Sequence, residues 1–206
     1  MDKLKLRFIS VLVALAVISL AGSGCGYNQL QGLDEDVKAA WSEVDNQYLR
    51  RSELIPNLVE VVKGAASQEK ETLEAVIQAR ASATQITLKA EDLGNAEAFK
   101  KYQAAQGELS QALGRLMMVA EKYPDLKSQE GYRDLQAQLE GTENRIAVAR
   151  KRYIDVVAEY NKAVRFFPTN LTAKFLLDMS TRETFSVTDQ QRAAPKVSFG
   201  SEKSSQ

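Results

Sequence analysis

Two clusters in this sequence carry residue types that could do chemistry. Arg50 and Arg51 stand just ahead of Pro56 and Asn57 in the run RRSELIPNL, and Glu143, Asn144, Arg145 and Arg150 fall close together further on. A guanidinium binds carboxylates, phosphates or carbonyls through a planar fork of donors. Pro56 adds a free acceptor, because its missing N–H leaves the carbonyl of Ser52 without its helical partner. Together these residues point to a dock for an anion or a partner peptide. The same residues also suit a structural use. Arg51 lies on an apolar helical seam, where a buried charge needs a partner, and Glu121, Glu143 or Asp45 could supply it. Glu143 to Arg150 spans two helical turns, with Asn144 beside the seam residues Thr142 and Ile146, so this set could form a polar layer between helices.

Catalysis and metal binding have little else to draw on. The chain of 206 residues contains no histidine and a single cysteine. The commonest general base and metal ligand is therefore absent, which excludes Ser-His-Asp hydrolysis, His-based zinc sites and Glu-x-x-His di-iron bundles. One cysteine makes no internal disulfide. No GxSxG, GxxxxGK[ST] or GxGxxG occurs, so nucleophile-elbow and phosphate-loop chemistry have no carrier. Lys, Asp, Glu and Tyr remain, without a recognisable set of nucleophile, base and oxyanion donor. Lys plus Arg and Asp plus Glu balance at 27 each, which argues against nucleic acid, whose phosphates call for a basic surface. The expectation is no catalytic residue, no metal and no cofactor.

The N-terminus speaks of place. Lys3, Lys5 and Arg7 precede the apolar run FISVLVALAVISLA at residues 8–21, a basic flank and apolar core in the order of an export signal. No charge follows until Asp34, so the uncharged stretch 8–33 is also long enough to cross a bilayer of about 30 Å as a retained helix. Cys25 follows in GSGCG. That segment resembles a bacterial lipoprotein cleavage site, in which Cys25 would be lipidated and become the first mature residue, although Gly22 stands where such sites usually carry Leu. Lipidated Cys25 and a transmembrane helix are the two anchors the segment allows. In either case the positive flank keeps residues 1–7 in the cytoplasm and sends the rest across the membrane.

These groups need elements to hold them, and the apolar periodicity supplies helices. Leu30, Val37, Trp41, Val44, Tyr48, Ile55, Leu58 and Val62 repeat at three and four residues, which predicts one long helix, kinked at Pro56 and closed near Gly64. Ser67 reads as the cap of a second helix through Leu73, Val76, Ile77 and Ala83 to about Leu88. After the break at Gly94-Asn95, Phe99, Tyr102, Gln106, Leu109, Leu113, Leu116 and Ala120 predict a third helix, ended by Tyr123-Pro124. Gly107 and Gly114, one heptad apart, suggest a close helix contact. A fourth helix of about 40 residues carries Tyr132, Leu135, Leu139, Thr142, Ile146, Ala149, Tyr153, Val156, Tyr160, Val164 and Phe167. A short helix at Thr169 to about Met179 could cover one end. No period-two alternation is convincing. The fold class is all-α, an antiparallel bundle of about four long helices at 27–185, behind an anchor segment at 1–26 and ahead of an aperiodic tail at 186–206.

The segments AWSEVDNQYLRRSELIPNLVEVVKG at 40–64, YPDLK at 123–127 and TENRIAVARKRY at 142–153, with YNKAV and FP behind them, resemble the LemA family. One departure is Ile154, where that family often has Asn. The resemblance implies a membrane-associated helical bundle of the bacterial envelope, facing the periplasm if the source is Gram-negative, and brings no established reaction, substrate or cofactor. The expected function is a membrane-anchored, non-catalytic interaction or adaptor protein for other envelope proteins. The alternative is a binding module for a lipid or a peptidoglycan fragment, with an Asp/Glu hydrolase as the remotest reading. Oligomeric state is open, since apolar seams serve a monomer and a dimer alike.

Overall fold

The computed structural model describes the backbone of residues 2–186 and the side chains of Arg7 and of residues 26–186. The side chain of Cys25 and the tail beyond Ser186 lie outside the described residues, and with them the expected lipidation site and the expected aperiodic tail. Six α-helices follow one another: α1 Asp2–Ala65, α2 Lys70–Gln85, α3 Ala96–Ala120, α4 Pro124–Ser128, α5 Glu130–Arg165 and α6 Thr169–Phe175. A 3-10 turn at Ala90–Gly94 joins α2 to α3. The described residues contain no strand, and the molecule is an all-α antiparallel bundle of α1, α2, α3 and α5. Among the described residues no helix is long and apolar enough to cross a membrane. The run 8–21, on which the anchor expectation falls, is continuous in helix with the bundle through α1.

Sequence and structure part at several helix ends. At α1 they agree: it is one long helix through Pro56 that closes one residue past Gly64, as the spacing predicts. Pro56 is exposed, so its ring stands in solvent, and the Ser52 carbonyl it frees accepts from Arg80 Nε of α2 at 2.9 Å. Ser67 does not cap α2. The chain turns through Ala66–Glu69, and Glu69 is the cap residue, without a side-chain bond. Ile77 is exposed and α2 buries Leu73, Val76 and Ala83, a narrow stripe for a helix wedged between α1 and α3. Leu88 lies beyond α2 and is buried all the same, because Trp41 Nε1 donates to its carbonyl at 2.9 Å. Asn95 caps α3, its side chain accepting from the N–H groups of Glu97 and Ala98, as short amides do. α3 stops at Ala120, and Pro124 opens α4 at the position where a missing N–H costs nothing. In α5 the buried stripe moves to Val157 and Ala163, while Val156 and Val164 are half-buried, because an α-helix drifts against a strict seven-residue seam. Phe167, past the end of that helix, is exposed.

Three apolar clusters lie in sequence along α1. Leu30 packs with Ala163 and Ala173 at the end nearest the apolar run. Trp41 and Tyr48 meet Phe99, Tyr102, Tyr153 and Phe185 in the middle. Ile55, Leu58 and Val62 pack with Leu113, Leu116, Leu126 and Tyr132 at the far end. α5 packs on α1, α1 on α2 and α2 on α3, but the backbones of α3 and α5 stand apart. The fourth side of the bundle is therefore bridged by side chains alone, Phe99 against Tyr153 and Tyr132 donating to Met117 Sδ, and is open between those bridges. Gly107 and Gly114 sit on that side, where an added Cβ would meet nothing within 4 Å. The expected close helix contact at these glycines is absent, because no helix approaches them.

Residues 180–186, the last described, form a strap. Phe185 inserts against Trp41, Phe99 and Tyr153, with centroids 5.1–6.2 Å apart, and the Arg150 guanidinium covers its ring at 4.4 Å. Asn161 donates to the Arg182 carbonyl at 2.9 Å and accepts from its N–H at 2.8 Å. Tyr153 and Tyr160 donate to the carbonyls of Glu183 and Ser180, and Arg182 reaches Asp34 at 3.0 Å. Burial acts to raise the Asp34 carboxyl, but hydrogen bonds from Lys38 and Arg182 outweigh it and hold the group below its ordinary 3.8. A lowered carboxyl contributes stability that is present above the ordinary value and lost as pH falls through the folded one. The strap should therefore loosen in acid below 3.8, seen as lost amide protection at Arg182 and Glu183, and Asp34→Asn should show that loosening at neutral pH. Phe185→Ala should lower unfolding stability by about 3 kcal/mol in a urea titration of the full chain.

Candidate functional site

The most heavily engaged polar group of the bundle is Arg51, a charged side chain 1% exposed. Its position follows from the α1 stripe: Tyr48, Arg51, Ile55 and Leu58 share one face, so the residue that breaks the apolar pattern is carried inside with it. Arg51 Nη1 donates to Ser110 Oγ at 2.8 Å and to Glu143 Oε1 at 2.9 Å. Nη2 donates to the Gln106 carbonyl at 3.3 Å and to Gln106 Oε1 at 2.6 Å. The guanidinium carbon lies 5.0 Å from the Tyr48 ring centroid, a favourable seat for a cation. Gln106 in turn donates to the Ala83 carbonyl at the end of α2. One side chain of α1 thereby links α3, α5 and, through Gln106, α2. Arg51 Nε is buried without a hydrogen-bond partner.

Of the three carboxylates expected for Arg51, Glu143 is the one that reaches it, and it is 42% exposed at the edge of the bundle. Asp45 accepts from Tyr102 and Glu121 pairs with Lys127. Arg150 joins the same region, half-buried over Phe185. Arg50, Asn57, Asn144 and Arg145 are exposed. Asn144 borders the open side, but none of these four contributes a hydrogen bond to the Arg51 cluster. Sequence reasoning missed Gln106 and Ser110. Gln106 carried a signal, since it stands on the α3 stripe and a polar residue at such a place asks for a buried partner, whereas Ser110 is exposed beside the stripe and carried none.

Along the open side between α3 and α5 lie two cavities. One of about 320 Å³ is lined by Tyr48, Arg51, Gln103, Gln111, Glu143 and Arg150, among others. The next, of about 580 Å³, is lined by Leu113, Gly114, Met117, Gln136 and Leu139, and shares Ser110 and Glu143 with the first. Together they make one groove, with Arg51 and Arg150 at one end and, at the other, Leu113, Met117 and Leu139 beside the polar Gln136, Glu140 and Asn144. Burial raises the hydroxyls of Tyr48 and Tyr102 above their ordinary value, nearby Arg150 and Asp45 being lesser influences. These groups are therefore neutral donors at physiological pH. The buried aromatic residues Trp41, Tyr132, Tyr153 and Tyr160 fill the core.

Removing Glu143 leaves the Arg51 charge enclosed without a counter-charge. Because Glu143 is partly exposed, Glu143→Gln should cost less than a fully buried pair, about 2 kcal/mol in urea unfolding. Arg51→Met with Glu143→Gln together should cost less than the two single changes added, and a strictly additive result would show that the two residues are not energetically linked.

The comparisons agree with this architecture. The chain is 29% identical over 185 residues to the magnetosome protein MamQ of Magnetospirillum gryphiswaldense, covering 80% of this chain and 68% of the relative. It is 30% identical over 196 residues to the magnetosome proteins MamQ 1 and MamQ 2 of Paramagnetospirillum magneticum, covering 87% of this chain and 71% of each relative. The model of the LemA family matches residues 40–199, which take in the Arg51 cluster, the groove and the strap. On that match and those relatives, the chain belongs to the LemA family.

Proposed function

We propose that this protein is a membrane-anchored, non-catalytic adaptor of the bacterial cell envelope, whose groove between α3 and α5 seats a segment of another envelope protein. The observation that carries the reading is the open fourth side of the bundle, a continuous groove through two cavities that share Ser110 and Glu143. Leu113, Met117 and Leu139 offer apolar contacts for anchor side chains, and the polar residues around them and around Arg150 suit charged or amide groups. The basic flank ahead of the run 8–21 supports an anchor, either that helix or lipidated Cys25, with the bundle outside the cytoplasm. The names of the relatives refer to the magnetosome.

A second reading rests on Arg150, which has no carboxylate partner among the described residues and stands with Tyr48, Gln103 and Gln111 around the smaller cavity. That setting suits the acidic group of a small ligand, such as a lipid headgroup or a peptidoglycan fragment. The two readings separate experimentally. Photo-reactive residues at Gln111 and Gln136, in the groove, should capture one envelope protein in living cells, whereas the same probe at Glu74 on α2 should not. Gly114→Trp should abolish that capture while leaving the helical circular dichroism unchanged. Equal capture at all three positions, or none, would count against the adaptor reading. A stoichiometric small ligand in native mass spectra, lost in Arg150→Ala, would favour the second.

A further inference from the structure

The end of the bundle opposite Gly64 is unusual in what it leaves in solvent. Phe166, Phe167 and Phe175 are 63%, 79% and 74% exposed, and Leu171 and Leu176 are exposed beside them. Water-facing aromatic residues at this density mark a surface made for contact. The charges nearest them are mostly basic, with the exposed acids Glu159 and Asp178 at the two edges of the stretch. Over residues 160–177 the charged residues are Lys162, Arg165 and Lys174, all exposed, with no Asp or Glu.

The position of this surface is set by α1. A Cβ on Gly26 would meet Thr169 Cγ2 at 3.3 Å and Thr172 Oγ1 at 3.5 Å, so α6 packs on the first described turn after the apolar run. Leu30 is buried with Ala163 and Ala173 just above it. The same helix α1 continues back through residues 8–21 without a break. From residue 21 to Gly26 is five residues, or about 7.5 Å of helix, and no charge intervenes. A bilayer that holds 8–21 therefore has its headgroup layer at the level of α6.

We infer that the α6 end of the bundle is a membrane-docking surface, in which Phe166, Phe167, Phe175 and Leu176 enter the headgroup boundary of a lipid bilayer while Lys162, Arg165 and Lys174 face anionic headgroups. Aromatic rings prefer that depth, and basic side chains keep their charge in water while their stems lie along the acyl chains. The inference rests on the anchoring proposed above and goes further. Two contacts instead of one fix the tilt of the bundle, so Arg51 and the groove are held about 38 Å beyond Gly26, at 1.5 Å for each residue of α1. The partner surface is then presented at a set height above the lipid.

The test uses the full chain reconstituted in vesicles of phosphatidylcholine with phosphatidylglycerol, carrying p-benzoylphenylalanine at Val13, Phe167, Phe175 or Met118, one position at a time. Met118 is the control, exposed near the far end of α3. After irradiation, lipid adducts are expected by mass at Val13, Phe167 and Phe175 and not at Met118. Joint Lys162→Gln, Arg165→Gln and Lys174→Gln substitutions should cut the adduct yield at Phe167 several-fold, and should remove the difference from vesicles of phosphatidylcholine alone. Adducts at Val13 without any at Phe167 and Phe175 would overturn the docking surface while leaving the anchor intact. Absence of adducts at Val13 as well would overturn anchoring through residues 8–21, and this inference with it. Equal yields at Met118 and Phe167 would also overturn it, since docking would then favour no end.

Discussion

A guanidinium buried between three helices sets the terms for the rest of this bundle. Arg51 is almost wholly buried, and its acceptors come from Gln106, Ser110 and Glu143 on two other helices. An unpaired charge in such a place would be strongly destabilising, so only a register that brings all three acceptors to it is tolerated. Leucine and alanine seams alone permit several registers, because one apolar layer resembles the next. The polar cluster removes that degeneracy. Pro56 acts in the same region: it releases the Ser52 carbonyl, and Arg80 takes it, so α2 is tied to α1 next to Arg51.

The opening between α3 and α5 is a consequence of the same packing. Helices α1 and α5 are long and bury each other along most of their length, while α2 is short and holds α3 on the far flank. Long polar side chains, Gln106 and Arg51 among them, fill the interior where a fourth helix contact would otherwise close it. Two glycines on α3 keep the rim free of side chains. The bundle thus has a rigid frame and a built recess, the arrangement in which binding surfaces keep their shape without a ligand.

The strap and the α6 end give the molecule direction. Residues 180–185 carry little periodicity, yet Tyr153, Tyr160 and Asn161 of α5 take up their backbone groups, and Phe185 completes the aromatic cluster around Trp41. The strap covers the middle of the bundle, α6 closes the end near the apolar run, and the groove lies beyond both. Apolar run, cap, strap and recess follow one another along α1, so the α6 end and the groove do not compete for surface.

The sequence by itself determined the helical class, the four main helices and most of the core, because apolar residues at three- and four-residue spacing bury one face whatever the partner. It also marked Arg51 as a residue needing a partner and put Glu143 among the candidates. Tertiary structure decided which carboxylate answers, since Glu121, Glu143 and Asp45 are equivalent until helix positions separate them. It decided that Gly107 and Gly114 border a groove rather than a contact, for a missing side chain does not say which side the neighbour stands on. It turned residues 180–185 into a strap, because backbone groups paired by distant side chains leave no periodic trace in a chain. Local spacing reports which face is buried; only the packed helices define what it is buried against.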